Sequence, residues 1–264
     1  MSKDINIISW NVNGLRSILK KNNIFDNKSG IFEDLVSKYD IICLSETRLH
    51  VDDVRTGDPL GSFLSNYKFR HYTDSGKSGY AGLVIYSKIE PIKYHSFQFG
   101  RYLELEFEKV FFILVYVPNS GTLLDYRLET WDPFLYNRIK ELMSLKDVII
   151  CGDFNVIHQN NDIRHYVLKR NKVAGALDVE RASYFKLLSL GLYNVFRLKY
   201  PHKIIYTYYS YRTFGRKYNS GMLIDHFLVT RNVLKNVKDI SILENIYGSD
   251  HLPITMTIKK SLFI

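Results

Sequence analysis

Apolar residues along the chain gather in short dense runs rich in Ile, Val, Phe and Tyr, each cut off by polar and turn-forming residues. That pattern predicts β-strands. The clearest cover residues 5–12, 40–45, 80–87, 102–108, 110–117, 147–154, 223–230 and 254–258. In YLELEFE apolar and polar positions alternate, so one face should be wet. VFFILVYV and DVIIC are apolar throughout and should be covered on both faces. Fewer segments carry a helical period. Ile31, Phe32, Leu35 and Val36 form one set, and Leu128, Leu135, Ile139, Leu142 and Met143 a second. A third helix is expected from Asp178, a candidate N-cap, through Tyr184, Leu187 and Leu188 to a stop at Gly191. Strands interspersed with helices over the whole length imply two stacked sheets with helices outside. No shift in composition marks a boundary, so residues 1–264 are expected to form a single domain.

Charge adds a partner to this picture. The net charge of +9 favours a polyanion, because it draws phosphates in at long range without reading sequence. The loop-like stretch HYVLKRNKVAGALDVE, with its lysines and arginines, is a candidate DNA-facing loop. Hydrophobic residues make up 46% of the chain, which excludes a disordered protein. Cys43 and Cys151 each sit inside an apolar run, as small buried hydrophobes do, and two cysteines argue against a disulfide scaffold. No run approaches the roughly 18 apolar residues of a membrane span, and MSKDINIISWNVN lacks the apolar core of a signal peptide. The expected setting is a reducing intracellular compartment, the cytoplasm of a prokaryote or the nucleus of a eukaryote, away from membranes.

The most informative feature is where the polar residues fall. Asn11 and Asn13 end the first run, Glu46 the second, Tyr116 and Asn119 the hairpin run, and Asp153 and Asn155 the next. Asp225 lies inside LIDHFL, and Asp250 and His251 directly precede the last run. Asn and Asp after a strand are ordinary turn formers when taken singly. Glu46 is a poor turn residue, and a carboxylate flanked by Leu223, Ile224, Phe227 and Leu228 is costly to bury unless paired or metal-bound. Taken together, these residues suggest side chains converging on one cleft.

Phosphodiester hydrolysis fits such a set. It needs a hard cation, an activated water and donors for the developing oxyanion. Mg²⁺ takes one or two carboxylates and keeps several waters, so one Glu with an Asp or two suffices, and Mn²⁺ is expected to substitute. No Cys/His cluster has zinc spacing. His251 can stabilise a phosphate if Asp225 orients it.

The stretches ISWNVNGLRS, IICLSETRLH, GYAGLVIYSK, YVPNSG, CGDFNVIHQNNDI, YTYYSYR, LIDHFLV and GSDHLPITM, in this order, resemble the exonuclease III / AP endonuclease family, within the DNase I-like endonuclease–exonuclease–phosphatase superfamily. The resemblance runs from about residue 5 to 258. It implies a four-layer α/β sandwich, two packed mixed β-sheets flanked by helices, with the site at one end. It also implies a Mg²⁺-dependent phosphodiesterase of base excision repair that incises 5′ to abasic sites and leaves a 3′-hydroxyl, with 3′–5′ exonuclease and 3′-end trimming. The expected substrate is double-stranded DNA with abasic sites or 3′-blocked ends, and the expected state a monomer.

Carried over, Glu46 matches the principal metal ligand, with Asn13 and Asp250 beside it, and Asn11 and Asn119 belong to the phosphate cluster. Tyr116 matches the tyrosine on the scissile phosphate, Asp153 the residue that orients or deprotonates water, Asn155 an oxyanion donor, and Asp225 and His251 the Asp–His pair. Tyr208 and Ile224 fit an abasic pocket in which Met222 stands where a tryptophan is common. Thr122 and Arg212 fall where relatives push residues into the duplex. GDFN and SDH are shared by superfamily members acting on phosphoinositides, sphingomyelin or poly(A), so those motifs do not discriminate. YVPNSG, LSETR and the aromatic run favour DNA. A catalytically dead scaffold would have lost a metal or water residue, and none is lost here.

Overall fold

The computed structural model describes residues 4–25, 31–50, 52, 57–61, 64–77 and 79–264. Each predicted apolar run becomes a strand, with ends shifted by one to three residues. These strands are β1 (Asp4–Asn11), β2 (Ile41–Ser45), β4 (Leu83–Ser87), β6 (Tyr102–Glu106), β7 (Val110–Tyr116), β8 (Asp147–Asp153), β10 (Asp225–Thr230) and β12 (Ile254–Lys259). Four more lie outside those runs: β3 (Phe69–Thr73), β5 (Lys93–Phe97), β9 (Leu192–Asn194) and β11 (Val237–Ile242).

Two six-stranded sheets result, ordered β11-β12-β1-β2-β4-β3 and β5-β6-β7-β8-β10-β9. The central pairs, β1 with β2 and β7 with β8, are parallel, and their outer neighbours are antiparallel. Side chains alternate between faces with a period of two. Ile7 and Cys43 therefore point inward to meet Leu114, Cys151 and Phe227 between the sheets. Ile8, Trp10 and Leu44 point outward against Leu15 and Ile18 of α1 (Leu15–Phe25) and Phe32 and Val36 of α2 (Ile31–Val36). On the other sheet Val115 and Ile150 point outward against Leu135 and Ile139 of α4 (Asp132–Met143) and Tyr184 and Leu187 of α6 (Asp178–Leu188). Helix, sheet, sheet, helix: this is the four-layer sandwich. Both cysteines are buried and free, as expected.

Three expectations need correction. β6 has no wet face, because Glu104 is fully buried. Its carboxylate accepts from Tyr102 Oη at 2.6 Å and from Arg138 of α4 at 2.7 and 2.9 Å, and so is neutralised under the helix. Asp178 is not an N-cap. Leu177 holds that position in extended geometry, and Glu180 accepts from its N–H while Asp178 is paired with Arg170. Leu128 sits one element early, in a π-helical turn (Arg127–Trp131) joining α3 (Ser120–Tyr126) to α4. HYVLKRNKVAGALDVE is mostly loop, but α5 (Tyr166–Lys169) forms one helical turn within it and α6 begins at its end. The short helices α7 (Val195–Lys199) and α8 (Arg231–Leu234) flank β9 and β10.

Candidate active site

Parallel central strands present their carboxyl ends to one end of the sandwich, which is where open α/β sheets bind ligands. β1 delivers Asn11 and Asn13 there, β2 Glu46, β7 Tyr116 and Asn119, and β8 Asp153 and Asn155. The antiparallel neighbours enter from the same end. Asp225 opens β10 directly opposite Asp153, and Asp250 and His251 precede β12. Close approach of β7 and β8 requires Gly152, whose φ is +130° and where a Cβ would lie 2.0 Å from Val115 O. Asn13, Glu46, Arg48 and Asn155 are held at left-handed φ near +50°, a strain of about 1–3 kcal/mol each that surrounding structure must offset. Part of that offset is continued strand pairing, with Gly14 N on Glu46 O at 2.8 Å and Arg48 N on Ala81 O at 2.8 Å.

The side chains form one network. Asn11 Nδ2 bridges the carboxylates of Glu46 (3.1 Å) and Asp153 (3.0 Å). Tyr116 Oη donates to Glu46 at 3.1 Å, and Asn13 Nδ2 donates to Asp250 at 2.8 Å. Asn155 is fixed by its own N–H on Asp153 (2.8 Å), by Nδ2 on Val117 O (2.9 Å), and by Asn119 Nδ2 on its carbonyl (3.1 Å). His251 Nδ1 lies 2.8 Å from Asp225, and its Nε2 is 3.8 Å from Asp153.

Burial sets the protonation states. It pushes the Asp153 carboxyl up, to about 7, against the pull of His251 and together with repulsion from Asp225. Burial alone would lower His251, but the carboxylates of Asp225 and Asp153 outweigh it and hold the imidazole up at about 10. The Tyr116 phenol is raised well above its usual range, by burial and then by Glu46 and Asp153, so it keeps its proton.

All these groups but Asn11 and Asp225 line a cleft of about 230 Å³, whose far wall is Ala174, Gly175, Tyr208, Met222 and Ile224. Tyr208 and Met222 exchange backbone bonds at 2.8 and 2.9 Å, and Tyr209 N reaches Asp250 O at 2.8 Å. One strand-like segment thus ties the apolar wall to the acidic rim. Arg212 lies outside the cleft on an exposed loop with Tyr211, Phe214 and Tyr218. Arg164 pins that loop through Asn219 O (3.1 Å) and Tyr218 O, and Arg216 ties it to Ile246 O (2.6 Å) and stacks on Tyr247. Thr122 is exposed at the start of α3.

Two positions were not anticipated. Arg48 Nη2 and Nε donate to Glu46 Oε1 at 2.6 and 3.2 Å, and Nη2 also donates to Asn13 Oδ1. Arg101, almost buried, stacks 4.6 Å over the Tyr116 ring and donates to Tyr116 O (3.2 Å) and Tyr80 Oη (2.6 Å). Both arginines lie at the ends of short runs (LSETR, FQFGR), but nothing in their spacing marks them.

Oxygen donors surround the cleft on both sides of Asn11, and such a set suits a hard cation. Glu46, Asn13 and Asp250 lie on one side. On the other, Asp153, Asp225 and His251 present ligand atoms within 4.8 Å of one another.

Residues 8–251 match the Endonuclease/Exonuclease/phosphatase family. An exodeoxyribonuclease of Bacillus subtilis is 38% identical, over 96% of this chain and 98% of its own. The DNA repair nuclease APEX1 of Danio rerio is 33% identical, over 96% of this chain and 82% of its own. The crystal structure of AP endonuclease LMAP from Leishmania major superposes with a TM-score of 0.81 at 26% identity, covering 97% of this chain and 88% of that one. With its strand-end cluster and this match over nearly all of its length, the chain belongs to the Endonuclease/Exonuclease/phosphatase family, among its exodeoxyribonucleases and AP endonucleases.

Proposed function

We propose that this cleft hydrolyses a phosphodiester of duplex DNA on the 5′ side of an abasic site, leaving a 3′-hydroxyl, and trims 3′ ends at the same centre. The observation that carries the reading is the shared cleft: a phosphate-sized polar cluster abuts an apolar wall of Tyr208, Met222 and Ile224. A base-less sugar fits such a wall, with its phosphate on the polar side.

Within this reading Asp153 takes the proton of the attacking water once its own raised carboxyl has ionised. His251, kept cationic and oriented by Asp225, donates to a phosphate oxygen. Asn119 and Asn155 supply amide donors to the oxyanion, Asn155 by turning a hydrogen from Asp153, 3.3 Å away, and Tyr116 supplies a phenolic one by turning its retained proton from Glu46. Asn11 keeps Glu46 and Asp153 in register. Mg²⁺, with Mn²⁺ able to replace it, would be held by Glu46 with Asn13 and Asp250 beside it, and supplies charge neutralisation at the scissile phosphate. The Glu46 side is preferred for the ion because a protonated His251 offers no lone pair to a cation. Arg212 and the loop Tyr211–Tyr218 face the duplex, and Thr122 joins them from α3.

The reading extends to residues 1–264 as one catalytic domain, acting as a monomer in an intracellular compartment. Among the described residues no helix is long and apolar enough to cross a membrane. End-labelled duplex carrying one abasic analogue, beside an intact duplex, tests it directly. A nick at the lesion with Mg²⁺ and none with EDTA is expected. Shortening of both duplexes from their 3′ ends alone would make the enzyme chiefly an exonuclease, and no cutting in folded protein would refute the reading.

A further inference from the structure

Arg48 stands out because of which oxygens it uses. Among the described residues, Glu46 Oε2 accepts from Tyr116 and Asn11, whereas Oε1 accepts from Arg48. Asn13 commits its Nδ2 to Asp250, which turns its carbonyl oxygen towards the same guanidinium. Glu46 Oε1 and Asn13 Oδ1, which with Asp250 would meet an incoming cation, are therefore the two oxygens that Arg48 occupies. The base of the side chain is fixed, with a left-handed backbone at Arg48 and its N–H on Ala81 O at 2.8 Å, but the side chain itself is 43% exposed. It can leave without unpacking anything. Tyr116 and Asn11 give Glu46 hydrogen bonds but no charge, Asn13 is neutral and Arg101 lies behind Tyr116, so among the described residues Arg48 is the cation bonded to Glu46.

We propose that Arg48 is the resident counter-ion of the metal site: it neutralises Glu46 while no metal is bound, and a divalent ion binds only by displacing it. The proposal rests on the placement of the ion at Glu46 given above. A divalent ion outcompetes a guanidinium for the Glu46 carboxylate on charge. The displaced guanidinium stays at the mouth of the cleft, positioned for a DNA phosphate. Metal affinity without DNA is thereby held down.

Mn²⁺ titrated by calorimetry into chelator-stripped, DNA-free protein tests this. Arg48→Gln should bind Mn²⁺ about fivefold more tightly than the wild type, the worth of one partly exposed ion pair that no longer has to be broken, with Arg48→Lys in between. In EDTA, Arg48→Gln should melt slightly lower than the wild type, and Mn²⁺ should raise its melting temperature by more. Affinity unchanged or weakened in Arg48→Gln, with binding lost in Glu46→Ala, overturns the proposal and leaves the site standing. Mn²⁺ binding that survives Glu46→Ala overturns the site and the proposal together.

Discussion

Two of the groups of buried charge within the sandwich are balanced differently. Behind the cleft Arg127 meets Glu180 at 3.0 Å and Asp132 at 3.7 Å, and Arg197 pairs with Asp162, so that every carboxylate faces a guanidinium. Arg127 also donates to the carbonyls of Pro118, Phe154 and Asn155, and Glu180 accepts from Gly175 N and Leu177 N. That set braces the loops carrying Asn119 and Asn155 against the apolar wall of the cleft. In the cleft Asp153 and Asp225 share the single imidazole of His251. Carboxylates that each face a guanidinium are inert supports. The two in the cleft, with one imidazole between them, leave a place for something positive. The neighbouring histidine makes the same point: His226, fully buried and bonded to Val156 O and Asn194, is held neutral, its imidazole pushed down to about 3 by burial.

The largest effect is expected from the deficient set. Asp153→Asn should lower single-turnover nicking by about 10²–10⁴-fold while leaving DNA binding nearly intact, as for loss of a general base. Turnover preserved in that variant would place the base elsewhere. In the balanced set Arg127→Met leaves Glu180 buried and unpaired, and should cost about 3–5 kcal/mol of stability. Urea unfolding measures it, and an unmoved midpoint would show that the pair is dispensable. Tyr116→Phe removes one donor to the phosphate and should slow chemistry about 10²–10³-fold, so an unchanged single-turnover rate rejects the role.

The smallest and sharpest test is the pH profile. kcat/KM should rise through about 7 as Asp153 gives up its proton and fall through about 10 as His251 loses its own. Removing the Asp225 charge leaves only Asp153 and Asp250 to oppose burial, which lowers the imidazole. Asp225→Asn should therefore move the basic limb towards neutrality, and a basic limb that stays in place would separate His251 from it.

Much of this contrast was legible in the chain before folding. Asn11, Glu46, Tyr116 and Asp153 are polar residues ending apolar runs, and parallel central strands carry such ends to one place. Asp225 could be singled out because a carboxylate among Ile224, Phe227 and Leu228 needs a partner. The balanced set was not legible, because Arg127, Glu180, Asp162 and Arg197 are ordinary surface-type residues until four separate segments close over them. β5 was missed because all five residues of KYHSF are exposed and leave no apolar periodicity. Glu104 deceived the alternation rule because a helix covers the face that should have been wet. Arg48 and Arg101 escaped because a long side chain acts several ångströms from its own backbone, where sequence spacing carries no information.

The pairing of the first and last strands has a consequence for how the protein is made. β1 lies between β12 and β2, with Asp4 opposite Lys259 and Ser9 opposite Ile254, and Trp10 Nε1 bonds to His251 O at 2.9 Å. A ribosome emitting the chain from its amino end delivers Asn11 and Glu46 long before Asp250 and His251 exist. At synthesis rates of about 5–20 residues per second, the early half of one sheet waits for about 10–40 seconds with β1 unpaired along one edge. Closing that edge requires contacts separated by most of the chain, the kind that form late and slowly. The nascent protein would thus remain incapable of cutting until its carboxyl-terminal strand docks, and that exposed edge is where holding by a chaperone would matter most.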